Sequence, residues 1–105
     1  MAWPPIHPGE ALAGELECLE MSASALAREL HVPANRIAQI LGGSRAISAD
    51  TALRLGRWFG TDPEFWLNLQ MQYELRRAEQ EVGPTIRETI VPRRPAALAG
   101  QAARR

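Results

Sequence analysis

Signals for the start and end of helices recur at short intervals between Ser22 and Tyr73, and this pattern constrains the fold more than any other feature. Within each interval the apolar residues repeat every three or four positions, the spacing that places them on one side of a helix. Pro33 and Pro63 lie where helices begin, and Gly60 lies where one ends. The sequence therefore predicts an all-α fold built from five helices.

The predicted helices follow from caps, breakers and apolar stripes. The first begins at Pro8, the second is capped by Ser22 or Ser24, and the fourth is capped by Ser48. Gly42 and Gly43 end the third helix. The side chains expected to face the core are Leu12, Leu16, Leu19, Leu26, Ala27, Leu30, Ile37, Ile40, Leu41, Ala52, Leu55, Phe59, Trp66, Leu69 and Tyr73.

The fifth helix begins at Asp62-Pro63 and is expected to run to about Glu81, because Gly83-Pro84 is a strong breaker. Residues 1–83 are therefore assigned to one domain, and residues 84–105 to a short C-terminal extension. Within the extension, residues 85–91 are predicted to form a short strand. Residues 92–105, rich in Pro, Ala and Arg, are expected to be a disordered basic end.

The second and third helices have the spacing of a helix-turn-helix, with the turn at residues 31–33. In such a motif the second helix enters the DNA major groove and its N-terminal residues meet the base edges. Asn and Gln can bond adenine in a bidentate manner, and Arg can do so with guanine. The alternative is that these polar positions are merely solvated. The candidate base-reading residues are Ala34, Asn35, Arg36, Ala38 and Gln39.

Phosphate contacts are expected from residues before the second helix and after the third helix. Ser22 and Ser24, at the start of the second helix, can add hydroxyl and backbone donors. Ser44 and Arg45 lie in the loop that follows the third helix, where one cation is well placed for phosphate. The alternative for Arg45 is a structural role that ties the loop to the fourth helix. Arg54 and Arg57 are assigned to the surface or to ion pairs.

The formal net charge is zero, yet the charges are segregated along the chain. Residues 1–21 carry four Glu and no Lys or Arg, and residues 22–60 carry five Arg against one Glu and one Asp. Residues 61–83 carry a net −3, from two Arg against five acidic residues, and residues 84–105 a net +4, from five Arg against one Glu. Because a phosphate responds to the local potential, the balance of +3 in residues 22–60 is compatible with DNA binding.

Composition and motifs exclude several other classes. The length of 105 residues fits one domain, and no apolar run approaches the roughly 20 residues of a membrane span. We find no signal peptide and interpret the chain as cytoplasmic. Cys18 is the only cysteine and is expected to be a small packing residue. No metal-binding spacing, cofactor motif or catalytic constellation is present, so the sequence does not indicate an enzyme.

The aromatic residues Trp58, Phe59, Phe65, Trp66 and Tyr73 are concentrated in the last part of this region. Aromatic residues at helical spacing usually belong to the core. A small domain has a limited interior, however, so some of them are expected to line a subunit interface. The candidate dimer contacts are Trp66, Leu67, Met71 and Tyr73.

The opening Ile6-His7-Pro8-Gly9-Glu10, together with residues 43–55 and 63–70, resembles the HigA family of antitoxins, within the lambda-repressor-like group of helix-turn-helix proteins. The resemblance covers about residues 5–80. It implies a five-helix fold, a homodimer formed by the fifth helix, and binding to a palindromic operator in the protein's own promoter. It also implies a partner, a HigB-type toxin that cleaves mRNA and has a RelE-like fold.

Three positions depart from the family pattern. Ala23 stands where many relatives have a phosphate-binding Gln, and Pro33 and Ala34 stand where relatives often have Ser and Arg. The operator sequence therefore cannot be carried over from relatives. The alternatives to an antitoxin are a stand-alone repressor with no toxin partner and a module that binds only protein. The candidate toxin contacts are the acidic first helix and the chain from Thr85 onwards.

Overall fold

The computed structural model describes residues 5–93, which contain five α-helices and no strand. The helices are α1 (Pro8–Leu19), α2 (Ala23–Leu30), α3 (Ala34–Leu41), α4 (Ala49–Phe59) and α5 (Pro63–Thr89). Helices α1 to α4 and α5 as far as Tyr73 pack together as a body. Residues 75–89, the distal segment, extend α5 away from it, so the longest dimension of 52 Å is twice the others. The all-α, five-helix prediction is confirmed.

Side-chain and backbone caps define the helix ends. Ser22 Oγ accepts from the Ala25 N–H at 3.1 Å, and Ser48 Oγ accepts from the Thr51 N–H at 3.3 Å. Ser22 rather than Ser24 is therefore the cap of α2. Gly60 ends α4 with φ of 77°, a left-handed conformation that glycine adopts without steric cost.

The core lies where α1, α2, α3 and α4 meet the first half of α5. The fully buried side chains include Leu12, Leu26, Ile37, Ile40 and Leu55, and the Trp66 ring is only 2% exposed. The Trp66 indole N–H donates to Thr61 Oγ1 at 3.1 Å, so its polar atom is satisfied at the edge of the core. The apolar stripes predicted for α2, α3 and α4 thus converge on one centre.

Helix α1 meets α3 through a glycine. A Cβ atom added at Gly9 would overlap the Ile40 carbonyl oxygen, which belongs to the backbone and cannot move aside as a side chain could. Glycine at this position lets the start of α1 rest directly on the end of α3.

Two residues of α1 lie differently from the prediction. Leu19 is 49% exposed and Cys18 is exposed, whereas both were expected to pack inside. The reason is that α1 ends at Leu19 and the chain turns at Glu20, which takes a left-handed conformation, so the last turn of α1 extends past the core. The buried face of α1 is formed by Leu12 and Leu16.

Helix α5 continues through Gly83-Pro84 and ends at Thr89, so the predicted helix end and the strand over residues 85–91 are wrong. A lone strand would leave its backbone groups unpaired, whereas a helix satisfies them internally. One side-chain pair also bridges the proline, because Arg87 pairs with Glu79 at 2.6 Å. Beyond the proline, the Thr89 hydroxyl donates to the Thr85 carbonyl at 2.8 Å, within the last turn of α5. The predicted disorder of residues 92–105 falls mostly outside the described residues.

Candidate nucleic-acid interface

Helix α3 turns one face inward and the other outward. Ile37 and Ile40 have no exposed surface, which fixes the rotation of the helix about its axis. The opposite face is accessible, and it contains four of the five predicted base-reading residues, namely Ala34, Asn35, Ala38 and Gln39. These positions lie within the first turn and a half of the helix, the part that reaches base edges in a helix-turn-helix.

Arg36, the fifth predicted reader, is only partly exposed and is engaged within the protein. Its Nη1 donates to Asp50 Oδ1 at 2.8 Å and lies 3.4 Å from Thr51 Oγ1. Asp50 Oδ1 also accepts from Arg54 Nε at 2.8 Å. Arg54 in turn donates through Nη1 to the carbonyl of Leu30 at 2.8 Å, at the end of α2. The assignment of Arg54 to an ion pair is therefore confirmed.

The two arginines act on the same carboxylate. Hydrogen bonds from Arg54 and then Arg36 hold the pKa of Asp50 below its ordinary value, because both stabilise the charged form. Asp50 therefore remains ionised wherever the protein is folded near neutral pH. This group of three residues connects α2, α3 and α4 at one point of the surface.

The start of α2 offers donors to an anion. Ser22 Oγ accepts from the backbone of Ala25, which leaves the hydroxyl hydrogen free to donate outward. Ser24 is exposed in the first turn. The unpaired N–H groups of a helix N-terminus attract phosphate, so both predicted serines lie where such a contact can form.

The loop between α3 and α4 is fixed by its backbone. Gly43 has φ of 83°, and the Ser44 N–H and hydroxyl both approach the Gln39 carbonyl, at 3.0 and 3.3 Å. The Ile47 N–H donates to the buried Gln70 Oε1 at 2.8 Å, which ties the loop to α5. The Arg45 side chain is exposed and has no ion pair within residues 5–93. The loop is therefore tied to α5 through Gln70, and no ion pair from Arg45 ties it to α4.

His7 supports the same loop from below. Its Nδ1 accepts from the Gly9 N–H at 2.9 Å and so caps α1, and its ring meets the edge of Tyr73 at 4.8 Å between centroids. Burial lowers the pKa of His7, although a hydrogen bond to the Arg45 backbone and the charges of Glu74 and Glu10 act in the opposite direction. The neutral ring therefore links α1, α5 and the α3–α4 loop.

The sequence reasoning gave no role to His7 or Gln70. Both lie inside stretches that resemble the HigA family, at residues 6–10 and 63–70, and that was the only available signal. Histidine is not among the preferred helix caps, and a buried glutamine on a helix has no periodic signature. Their partners are distant in sequence, as in the 23-residue separation between Ile47 and Gln70.

The predicted dimer contacts divide between two faces of α5. Trp66 lies in the core and cannot contact a partner, so its assignment is corrected: its ring fills the space beneath Phe59 and Phe65. Tyr73 packs against His7. Leu67 and Met71 instead begin a row of residues three or four positions apart, which we call the α5 stripe: Leu67, Met71, Leu75, Ala78, Val82 and Ile86.

Most of the α5 stripe is exposed. Leu75 has 62% of its surface accessible, and Val82 and Ile86 have 43% and 45%. A row of accessible apolar side chains along one helix is the surface that a partner helix covers in a coiled-coil contact.

Neither a metal-binding cluster nor a membrane-spanning helix occurs in the described part of the chain. Residues 5–93 contain no cluster of three His, Cys, Asp or Glu side chains that could hold a metal ion. None of the helices in this range combines the length and the apolar character that crossing a membrane requires. The acidic side chains of α1, namely Glu10, Glu15 and Glu17, are exposed.

Several known proteins are similar to this chain in sequence and in structure. No protein-family model matches the chain. The chain is 53% identical over 79 residues to virulence-associated protein I of Dichelobacter nodosus. The aligned region covers 74% of this chain and 73% of that protein. An addiction module antidote protein of the HigA family from Coxiella burnetii superposes with a TM-score of 0.85 and 52% identity, over 87% of this chain and all of the other.

A third relative was solved together with DNA. The Pseudomonas aeruginosa antitoxin HigA with the higBA promoter superposes with a TM-score of 0.82 and 47% identity. The match covers 84% of this chain and 97% of that one.

Proposed function

Since this chain belongs to the HigA family of helix-turn-helix antitoxins, DNA-binding proteins that are not enzymes, we propose that it neutralises a toxin and represses its own operon. The toxin would be a HigB-type, RelE-like enzyme that cleaves mRNA. The operator would be palindromic and bound by a homodimer. The observation that carries the proposal is the outward polar face of α3, in a chain 47% identical to an antitoxin solved with its promoter.

Base reading is assigned to the exposed side of α3. Asn35 and Gln39 present amide groups that match adenine edges, while Ala34 and Ala38 leave room for close approach or for a thymine methyl group. Replacing Gln39 by Ala is expected to weaken operator binding by about 1–3 kcal/mol and to relax the preference at one base pair. A matched control is Gln80→Ala, an exposed glutamine in the distal segment, which should leave binding unchanged.

Phosphate binding is assigned to Ser22, Ser24, Ser44 and Arg45. Only Arg45 is a cation among them, so each subunit releases few counterions on binding. Operator affinity should fall with salt concentration, but with a shallow slope. Replacing Arg45 by Ala should lower affinity for all DNA sequences alike and reduce that slope by about one per subunit.

Dimerisation is assigned to the α5 stripe. Two copies that pair their stripes would cover Leu67 and Met71 as well as the exposed apolar residues beyond them. A two-fold dimer presents its two α3 helices to successive major grooves about 34 Å apart, or at a multiple of that distance. The palindrome of the operator then follows from the symmetry of the protein.

The toxin contact is assigned to the exposed acidic side chains of α1, because carboxylates would complement a basic RNase. Reversing Glu15 and Glu17 to Lys tests this surface, since both side chains are exposed and neither takes part in the core. Retained toxin binding in the double variant would move the contact elsewhere, with the chain from Thr85 onwards as the next candidate.

The decisive experiment is to co-express the chain with the protein encoded beside it. Growth arrest by the neighbour alone, relieved by this chain and accompanied by a stable complex, is the expected result. Absence of both arrest and complex, with DNA binding retained, would leave a stand-alone repressor. Absence of any salt-dependent DNA binding as well would favour a module that binds only protein.

A further inference from the structure

One carboxylate joins the three helices that build the DNA-facing surface. Asp50 Oδ1 accepts from Arg36 of α3 and from Arg54 of α4, each at 2.8 Å. Arg54 also donates to the carbonyls of Leu30 and His31, at 2.8 and 3.3 Å, where α2 ends and the turn begins. We call Arg36, Asp50 and Arg54 the Asp50 clamp.

The Asp50 clamp holds the Arg36 guanidinium through one nitrogen and leaves its other N–H groups available for hydrogen bonds. The bonds to Asp50 and Thr51 both come from Nη1, and among the described residues no partner is assigned to Nε or Nη2. The side chain of Arg36 is 25% exposed, against 56% for Asp50. A guanidinium has a second edge, so an arginine held through one nitrogen can still present two parallel N–H groups.

We propose that Asp50 is a positioning residue for operator reading, which orients the Arg36 guanidinium so that its free edge meets a guanine. The inference rests on the proposed function and adds a specificity-determining pair to it. Bidentate contact between arginine and guanine O6 and N7 depends on the plane of the guanidinium. An unsupported arginine would lose side-chain entropy on taking that plane, whereas the clamp fixes it before DNA binds.

The negative charge of Asp50 should also affect the binding of DNA that does not contain the operator. Asp50 is exposed and bonded to Arg36 of the proposed reading helix, so its carboxylate would repel the phosphates of any bound DNA and lower affinity for every sequence. Asp50 therefore weakens non-specific binding while it aids the specific contact. Removing its charge should change the two affinities in opposite directions, and the ratio between them is the quantity to measure.

The test uses Asp50→Asn, which keeps the shape of the side chain and removes the charge. The probes are a duplex that the wild-type chain selects from a randomised library and a scrambled duplex of the same composition. Operator affinity is expected to fall by about tenfold, with discrimination lost at one base pair, while affinity for the scrambled duplex rises. In the Arg36→Ala background, Asp50→Asn should produce no further loss of discrimination.

Two controls separate positioning from folding. Glu81→Gln removes the carboxylate of another Arg–acid pair, in the distal segment, and should leave both affinities unchanged. Arg36→Lys keeps a cation opposite Asp50 but loses the planar fork, so it should lose discrimination at the same base pair even if Asp50→Asn does not fold. Thermal unfolding of each variant identifies any that is not native.

An unchanged ratio of operator to scrambled affinity in folded Asp50→Asn would overturn the inference and leave the proposed function intact. The same holds if Asp50→Asn loses equal discrimination with and without Arg36. A wild-type chain that selects no sequence from the library would overturn the proposed function and the inference together.

Discussion

Helix α5 belongs to both the body and the distal segment, but the two regions are stabilised differently. Within the body, α5 buries Trp66 and Gln70 against α4 and the α3–α4 loop. Beyond Tyr73 the same helix leaves Leu75, Val82 and Ile86 accessible. The body satisfies its apolar residues within one chain, whereas the distal segment carries an apolar row that nothing in residues 5–93 covers.

The polar contacts of the distal segment do not compensate for this exposure. They include the ion pairs Arg77–Glu81 and Arg87–Glu79 and a cation–π contact from Arg77 to Tyr73 at 5.6 Å. Exposed pairs of this kind contribute little to stability, because water and salt screen their charges. The body therefore accounts for the folding of the monomer, and the exposed apolar row of the distal segment is suited to association with a partner helix.

The largest effect should come from the core. Replacing Trp66 by Ala removes a ring that is 2% exposed, and should lower the free energy of unfolding by about 3–5 kcal/mol. The matched control is Phe65→Ala at the neighbouring position, where the ring is 48% exposed. Urea unfolding measures both variants, and equal losses would contradict the description of Trp66 as core and Phe65 as surface.

The second effect should appear in association and not in the fold. Val82→Asp places a charge within the α5 stripe and should weaken the proposed dimer by about 2–3 kcal/mol, roughly a 30- to 150-fold rise in its dissociation constant. Gln80→Asp adds the same charge on the opposite side of α5 and should leave the dimer intact. Sedimentation equilibrium measures both, and a Val82→Asp protein that remains a dimer would remove the stripe from the interface.

The third effect concerns the contact between α1 and α3. Gly9→Ala forces a Cβ against the Ile40 carbonyl and should cost about 1–3 kcal/mol. Gly14→Ala, in the same helix with open space around it, should instead stabilise the protein by up to about 1 kcal/mol. Thermal unfolding distinguishes them, and destabilisation by both substitutions would mean that α1 tolerates alanine poorly for another reason.

Much of the body could be predicted from the sequence because its signals are local. Caps such as Ser48, breakers such as Gly60 and the stripe of Ile37 and Ile40 each act within one or two helical turns. The exposed side of α3 followed from the same periodicity. Five helices and their order were therefore accessible without knowledge of any tertiary contact.

The remainder depended on contacts between distant residues. The sequence did not show that Asp50, 14 positions later, holds one nitrogen of the predicted base reader Arg36. Pro84 was predicted to end the helix, because a proline inside a helix removes a backbone hydrogen bond and destabilises it. The helix nevertheless continues on both sides of Pro84, and Arg87 pairs with Glu79 across it. Trp66 looked like an interface residue because periodicity alone does not say which aromatic ring the core accepts.

The smallest effect should be a pH dependence confined to the body. The ring of His7 is buried as the neutral form, which accepts from the Gly9 N–H, and burial lowers its pKa below the ordinary value of about 6.5. Its contribution to stability is therefore fully present above about pH 6.5 and is lost as pH falls through the lower pKa of the folded state. Arginine partners lower the pKa values of Asp50 and Glu79 from their ordinary acidic range, so neither carboxylate titrates together with His7.

The measurement is the free energy of unfolding between pH 8 and pH 5 for the wild type and for His7→Asn. Asparagine can still cap α1 but does not titrate, so the variant should lose the decline seen in the wild type. Amide exchange should locate the change at the start of α1 and in the α3–α4 loop, because His7 contacts both, while the distal segment stays unaffected. Parallel slopes in the two proteins would show that His7 does not couple the body to pH.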